Sequence, residues 1–182
     1  MSRSTITVTI SESGEIIRIF PIVMKIDRHS GKLFGYDENS GREYSIAELE
    51  QIANTGDPAA QCAMGDYYNS EDRPDLQNFK KAFEWYDKAA KQNYARAQWN
   101  LGNIYGVGAG VVEKDFNKAM SWFEKSANQG YLEAMFNLGQ VFLMNDDHAN
   151  ALFWLEKADK LGHPQAKDIL EMATILRRFQ GK

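Results

Sequence analysis

The chain has 182 residues, 43% of them hydrophobic and 25% charged, which suffices for one core or for a solenoid with a small appendage. Its formal charge of −4 leaves no basic surplus for phosphate contacts and argues against nucleic acid as the main partner. The one cysteine, Cys62, excludes an intrachain disulfide and offers no metal-ligand spacing, and no apolar run approaches the roughly 18 residues of a membrane span.

The chain starts Met1-Ser2-Arg3-Ser4-Thr5 and runs into alternating Thr and Ile/Val, not a continuous apolar stretch. No signal peptide is therefore expected, and the expected location is cytoplasmic. Residues 5–10 alternate, with Ile6, Val8 and Ile10 on one side and threonines on the other, as a half-buried strand does. A turn follows at 11–14. Residues 15–27 are β-prone but carry Pro21, which demands an edge or a bulge. Residues 32–36 read as a further strand between turns. The expectation for 1–44 is a small antiparallel sheet of three or four strands, one face of which covers the near end of the helical region over 58–182. Ser45 opens a helix with Glu48 three residues on, a capping box, and Tyr44 and Leu49 are placed for a hydrophobic staple. This helix ends at Gly56, and 45–57 reads as a degenerate half repeat.

From residue 58 a pattern recurs. Ala60-Met64-Gly65, Ala97-Leu101-Gly102 and Ala134-Leu138-Gly139 are spaced by 37 residues, and an aromatic stands three after each glycine: Tyr68, Tyr105, Phe142. Ala82 and Trp85 return as Ala119 and Trp122 after 37 residues and as Ala151 and Trp154 after 32 more. A period in this range marks a solenoid of stacked units. Each unit reads as helix A (59–69, 95–105, 132–144) and helix B (79–92, 116–129, 149–161). Asn78, Asp115 and Asp147 stand as N-caps of helix B, and Gly56, Asn93, Gly130 and Gly162 stand where helices end in the left-handed conformation. Glycine inside helix A needs compensation by a close neighbouring helix. The recurring tryptophans read as core. A last A-like helix over 164–179 carries Glu171 in place of the glycine and reads as a capping helix with a polar outer face.

The string Ala97, Leu101, Gly102, Tyr105, Gly108, Gly110, Val111, Asp115, Lys118, Ala119, Trp122, Ser126, Ala127, Gly130 closely resembles the Sel-one-like repeat, a longer relative of the tetratricopeptide repeat. The resemblance covers about 57–179 and not 1–44. It implies a mostly α helical-repeat solenoid over 58–182, with a protein-binding and non-catalytic role, and with helix A lining the concave face. Given that placement, the groove positions fall three before, one after and four after each glycine: Cys62, Asp66 and Asn69; Trp99, Asn103 and Gly106; Phe136, Gln140 and Leu143. Arg96 and Glu133 flank them. Trp99 does not recur, since Cys62 and Phe136 hold its place, and Trp99 and Phe136 are expected to be neighbours. The partner-binding set is thus Asp66, Asn69, Arg96, Trp99, Asn103, Glu133, Phe136, Gln140 and Leu143.

No catalytic constellation emerges. The run 106–110 is glycine-rich but lacks a preceding strand and a Lys-Ser/Thr pair, so an interhelical turn is the reading. His29, His148 and His163 are scattered without metal-ligand spacing. No cofactor or metal is expected. The leading functional reading is a non-enzymatic adaptor that binds a protein or peptide. The alternatives are an immunity protein that neutralises a cognate toxin, and a ligand sensor or enzyme that uses the solenoid groove.

Overall fold

The computed structural model describes residues 9–10, 16–17, 22–26, 33–38, 40–70 and 77–180. Short strands β1 (Thr9–Ile10) and β2 (Ile16–Ile17) pair antiparallel. A three-stranded antiparallel sheet follows, β3 (Ile22–Ile26), β4 (Leu33–Asp37) and β5 (Glu43–Tyr44), in that order, with Ile22 opposite Asp37 and Gly35 opposite Tyr44. The remainder of the expected strands over 5–10 and 15–27, Pro21 included, lies outside the described residues, as does 71–76. Strand β5 was not expected; two residues are too few to show alternation.

Eight helices follow among the described residues: α1 (Ile46–Asn54), α2 (Pro58–Tyr68), α3 (Phe79–Lys91), α4 (Ala95–Val107), α5 (Phe116–Asn128), α6 (Leu132–Met144), α7 (His148–Lys160) and α8 (Ala166–Gln180). The fold is a helical-repeat solenoid with a small N-terminal antiparallel sheet. Its punctuation follows the sequence. Ser45 and Glu48 close the capping box of α1, and Asp57, Asn78, Asp115 and Asp147 each accept a hydrogen bond from a backbone N–H in the first turn of their helix. Asn93, like Gly56, Gly130 and Gly162, takes a positive φ at a helix end, here 63°.

The helix-A glycines lie under helix B. A methyl group placed on Gly65 would strike the Tyr86 ring; on Gly102 it would lie 2.5 Å from the Phe123 ring, and on Gly139 2.5 Å from Leu155. Close approach is therefore what compensates glycine in these helices. The residues that fill the seam stand one position after the tryptophans. Tyr86, Phe123 and Leu155 are buried, whereas Trp85 and Trp122 are only half-buried and each lies beneath a lysine, Lys88 and Lys125, at 4.1 Å. Trp154 is buried, with Lys157 at 4.8 Å. The period marks both columns, but the helical turn of about 100° per residue directs only one of them at the glycine.

The sheet covers the first repeat. Ile22 is buried with Leu49, Ala59, Ala60 and Met64, and Met24 packs against the same core. Strand β3 lies on α2, and β4 on α1. At the other end α8 packs on α7 through Ala166 and Ala173, both fully buried. Its exposed surface is polar only in part: Met172, Ile175 and Leu176 are exposed beside Lys167, Asp168, Glu171 and Arg177. Glu171 and Thr174 occupy the landmark positions, and the apolar residues stand between and beside them.

Candidate functional site

The layer of A helices, α2, α4, α6 and α8, carries the sequence-predicted positions. Each predicted aromatic place packs beneath the residue that precedes the next A helix. The Trp99 ring lies 5.6 Å from that of Tyr131, and Phe136 stacks on His163 at 4.0 Å. In the first repeat the same place holds Cys62, which is fully buried in one core with Tyr94. Trp99 thus meets the Tyr131 ring and Phe136 the His163 ring, and Trp99 packs against the core that contains Phe136. Tyr94, Tyr131 and His163 recur at steps of 37 and 32 residues, a signal that sequence reading could have used.

Polar contacts between neighbouring A helices run alongside. Asp66 and Arg96 are brought together in an ion pair of 2.7 Å, both half-buried. Tyr86 donates its hydroxyl to Asp66 at 2.9 Å, and an Arg96 N–H reaches the Ile22 carbonyl of β3 at 3.5 Å. Asn100 donates to the Cys62 sulfur at 3.8 Å, and Asn137 donates to Asn103 at 3.3 Å. Asn100 and Asn137 both stand two before a helix-A glycine; their recurrence went unread in the sequence. Burial pushes the Asp66 carboxyl up, while the Arg96 guanidinium and hydrogen bonds from Tyr86 and Asn100 pull it back. Burial also pushes the Cys62 thiol up, so it stays protonated and unreactive.

A third set of bonds ties α2 and α4 to the helices that flank them. Gln61 donates to the Ala53 carbonyl at 3.1 Å, and Gln98 to that of Ala90 at 3.3 Å, one repeat apart. Gln92 bonds Gln61 at 2.8 Å, and Gln129 bonds Gln98 at 2.6 Å. In the third unit Met135 and Leu161 hold those places.

The remaining predicted residues separate by exposure. Phe136 is buried, and Glu133 is half-buried; burial pushes the Tyr131 hydroxyl up and the His163 imidazole down, and the Glu133 charge acts upward on each. Asn69 is half-buried as the C-cap of α2, Asn103 and Leu143 are half-buried, and Gln140 is exposed. Trp99 is half-buried, yet its indole N–H is buried and meets no hydrogen-bond partner among the described residues. Asp66 and Arg96 are engaged with each other, and Arg96 with β3.

The Sel1 repeat model matches at residues 58–94, 95–131 and 132–163. The chain belongs to the Sel1 repeat family. Sel1 repeats are in general scaffolds for protein partners and typically non-enzymatic. Among solved structures, a Sel1 repeat protein of Oxalobacter formigenes is 32% identical, with a TM-score of 0.61 over 69% of this chain and 96% of that one. A protective antigen of uropathogenic Escherichia coli with the same fold is also 32% identical, with a TM-score of 0.65 over 70% of this chain. The match spans only 28% of that antigen's length. Helicobacter pylori cysteine-rich protein B shares the fold at 22% identity and a TM-score of 0.53, over 69% of this chain and 96% of that one. No curated protein matches the chain. Among the described residues, no helix is long and apolar enough to cross a membrane.

Proposed function

We propose that this Sel1 repeat chain is a non-enzymatic adaptor that holds a segment of a partner protein on its helix-A face, at the second and third repeats. The observation that carries the reading is the surface formed by Trp99 and Asn103, four residues apart on one face of α4, with Gln140 exposed on the next A helix. The neighbouring amides Asn103 and Asn137 suit the backbone of a bound peptide, and the Trp99 ring provides apolar area. The first repeat contributes less, because Asp66 and Arg96 serve the junction with β3. On this reading 1–44 is an appendage that closes the first repeat, and 45–57 is a half repeat leading into the solenoid over 58–182. Two features support the half repeat: the Ala53 carbonyl receives Gln61 as that of Ala90 receives Gln98, and Gly56 ends α1 as Asn93 ends α3. The net charge favours a protein over a nucleic acid as the partner.

The test is capture of partners from native lysate with the wild-type chain and with Trp99→Ala and Asn103→Ala. Loss of an anchoring tryptophan is expected to weaken capture by about thirtyfold, on the order of 2 kcal/mol, with native circular dichroism. If both variants hold the captured protein at wild-type strength, the groove is not the binding face.

A further inference from the structure

The three-stranded sheet lies across the first helices in order: β4 and β5 on α1, and β3 on α2. The Asp37 N–H donates to the Arg42 carbonyl at 2.9 Å, and the Asp37 carbonyl accepts from the Gly41 N–H at 2.8 Å. Both backbone groups of Asp37 thus turn to the side of β5, away from Ile22, which stands opposite on β3. In an antiparallel ladder such groups alternate from side to side. Val23 and Lys25 therefore bond β4, whereas Ile22, Met24 and Ile26 turn their N–H and C=O outward. The Arg96 contact agrees: its guanidinium reaches the Ile22 carbonyl from α4 at 3.5 Å. The outer edge of β3 faces the α4 side, and no described strand pairs with it. Trp99 and Asn103 stand about one and two turns after Arg96 on the same face of α4.

We propose that the β3 edge and this face of α4 are two walls of one groove, which takes the partner segment as an extended strand added to β3. The inference rests on the adaptor reading above and gives the segment its conformation. Met24 and Ile26 supply the ladder bonds, and every second side chain of the segment turns toward the helices and the Trp99 ring. The other side chains meet Val23 and Lys25, which hold the closely spaced, non-hydrogen-bonded places of the new pair. Lys25 is exposed, with its ammonium over the Tyr36 ring at 3.4 Å, so an acidic residue suits the place opposite it. The segment is thus alternately apolar and acidic.

The experiment is amide hydrogen exchange of the full chain by NMR, alone and with a short, end-blocked peptide of alternating valine and glutamate. Alone, the Met24 and Ile26 amides should exchange fast and those of Val23 and Lys25 slowly. Millimolar peptide should slow Met24 and Ile26 by about tenfold and leave Val23 and Lys25 as they were. Lys25→Glu should weaken this peptide roughly fivefold, and a valine–lysine peptide should bind that variant better than it binds the wild type. Met24 and Ile26 amides already as slow as their neighbours in the free chain, or unmoved by millimolar peptide, overturn the proposal. If those amides stay unmoved while Trp99→Ala still loses captured partner, the strand is wrong and the adaptor reading stands. If the peptide protects them while Trp99→Ala captures at wild-type strength, the edge pairs as proposed and the adaptor reading fails at α4.

Discussion

At the junction of the first two repeats, α4 reaches back with charge. Arg96 pairs with Asp66 and touches the β3 backbone, and Gln61 and Gln92 bond nearby. At the far end Met135 and Leu161 hold the places of Gln61 and Gln92, and the packing there is apolar or aromatic. Phe136 stacks on His163, Leu155 replaces a ring against Gly139, and α8 leaves Met172, Ile175 and Leu176 exposed. One end is sealed by polar contacts and a sheet, and the other is held by packing and remains open. The difference shows that the repeat frame depends on the seam between glycine and helix B, which all three units share. The chemistry between A helices is free to vary, and with it the surface each unit offers.

The seam should therefore respond most to mutation. Phe123→Ala is expected to destabilise by about 3–5 kcal/mol, and Trp122→Ala, half-buried under Lys125, by clearly less. Urea melts of the two variants check this ordering, and equal midpoints would break the distinction between the columns. At the polar junction, Asp66→Ala leaves Arg96 without its carboxylate and should cost up to about 3 kcal/mol, tempered by partial exposure of the pair. Replacing both residues by apolar ones should recover much of that loss, which a double-mutant cycle measures. Gly102→Ala brings a methyl group to 2.5 Å from the Phe123 ring; the overpacking should outweigh the helix-propensity gain and leave a net loss of about 1–2 kcal/mol in the same melts.

The smallest effect is a pH dependence at the far end. Burial holds His163 below the usual histidine range, with Glu133 pulling it back up. The unfolded chain thus takes up the proton at higher pH than the folded chain does. This contribution to stability is present at neutral pH and declines as pH falls below about 6.5, until the folded-state value is passed. His163→Phe should flatten that decline in urea midpoints compared at neutral and mildly acidic pH.

Local signals made the frame legible. Caps such as Ser45 and Asp115 and helix ends such as Asn93 involve residues within a few positions of each other, so the sequence carries them directly. Faces were harder to read. Tryptophan returns unchanged at 85, 122 and 154, whereas the next place holds Tyr86, Phe123 and Leu155, and only the helical turn decides which column meets the glycine. Trp99 and Phe136 share one core, but the rings they meet are Tyr131 and His163, from the start of the next A helix, which sequence reading did not single out. The polar face expected of α8 rests on Glu171 and Thr174 at the landmark positions, whereas Met172 and Ile175 stand just beyond each of them. The predicted groove residues divide likewise: Phe136 serves packing and Asp66 serves the junction, while Gln140 is open to solvent.

The central claim is that the open part of the helix-A layer receives the partner, and photocrosslinking tests it most directly. A photoreactive side chain is placed at Gln140, exposed on α6, and in a second protein at Glu124, exposed on α5, a helix-B element. Irradiation with the captured partner should yield a covalent adduct from position 140 and none from position 124. An adduct from position 124 with none from position 140 would place the partner on the B helices and contradict the account.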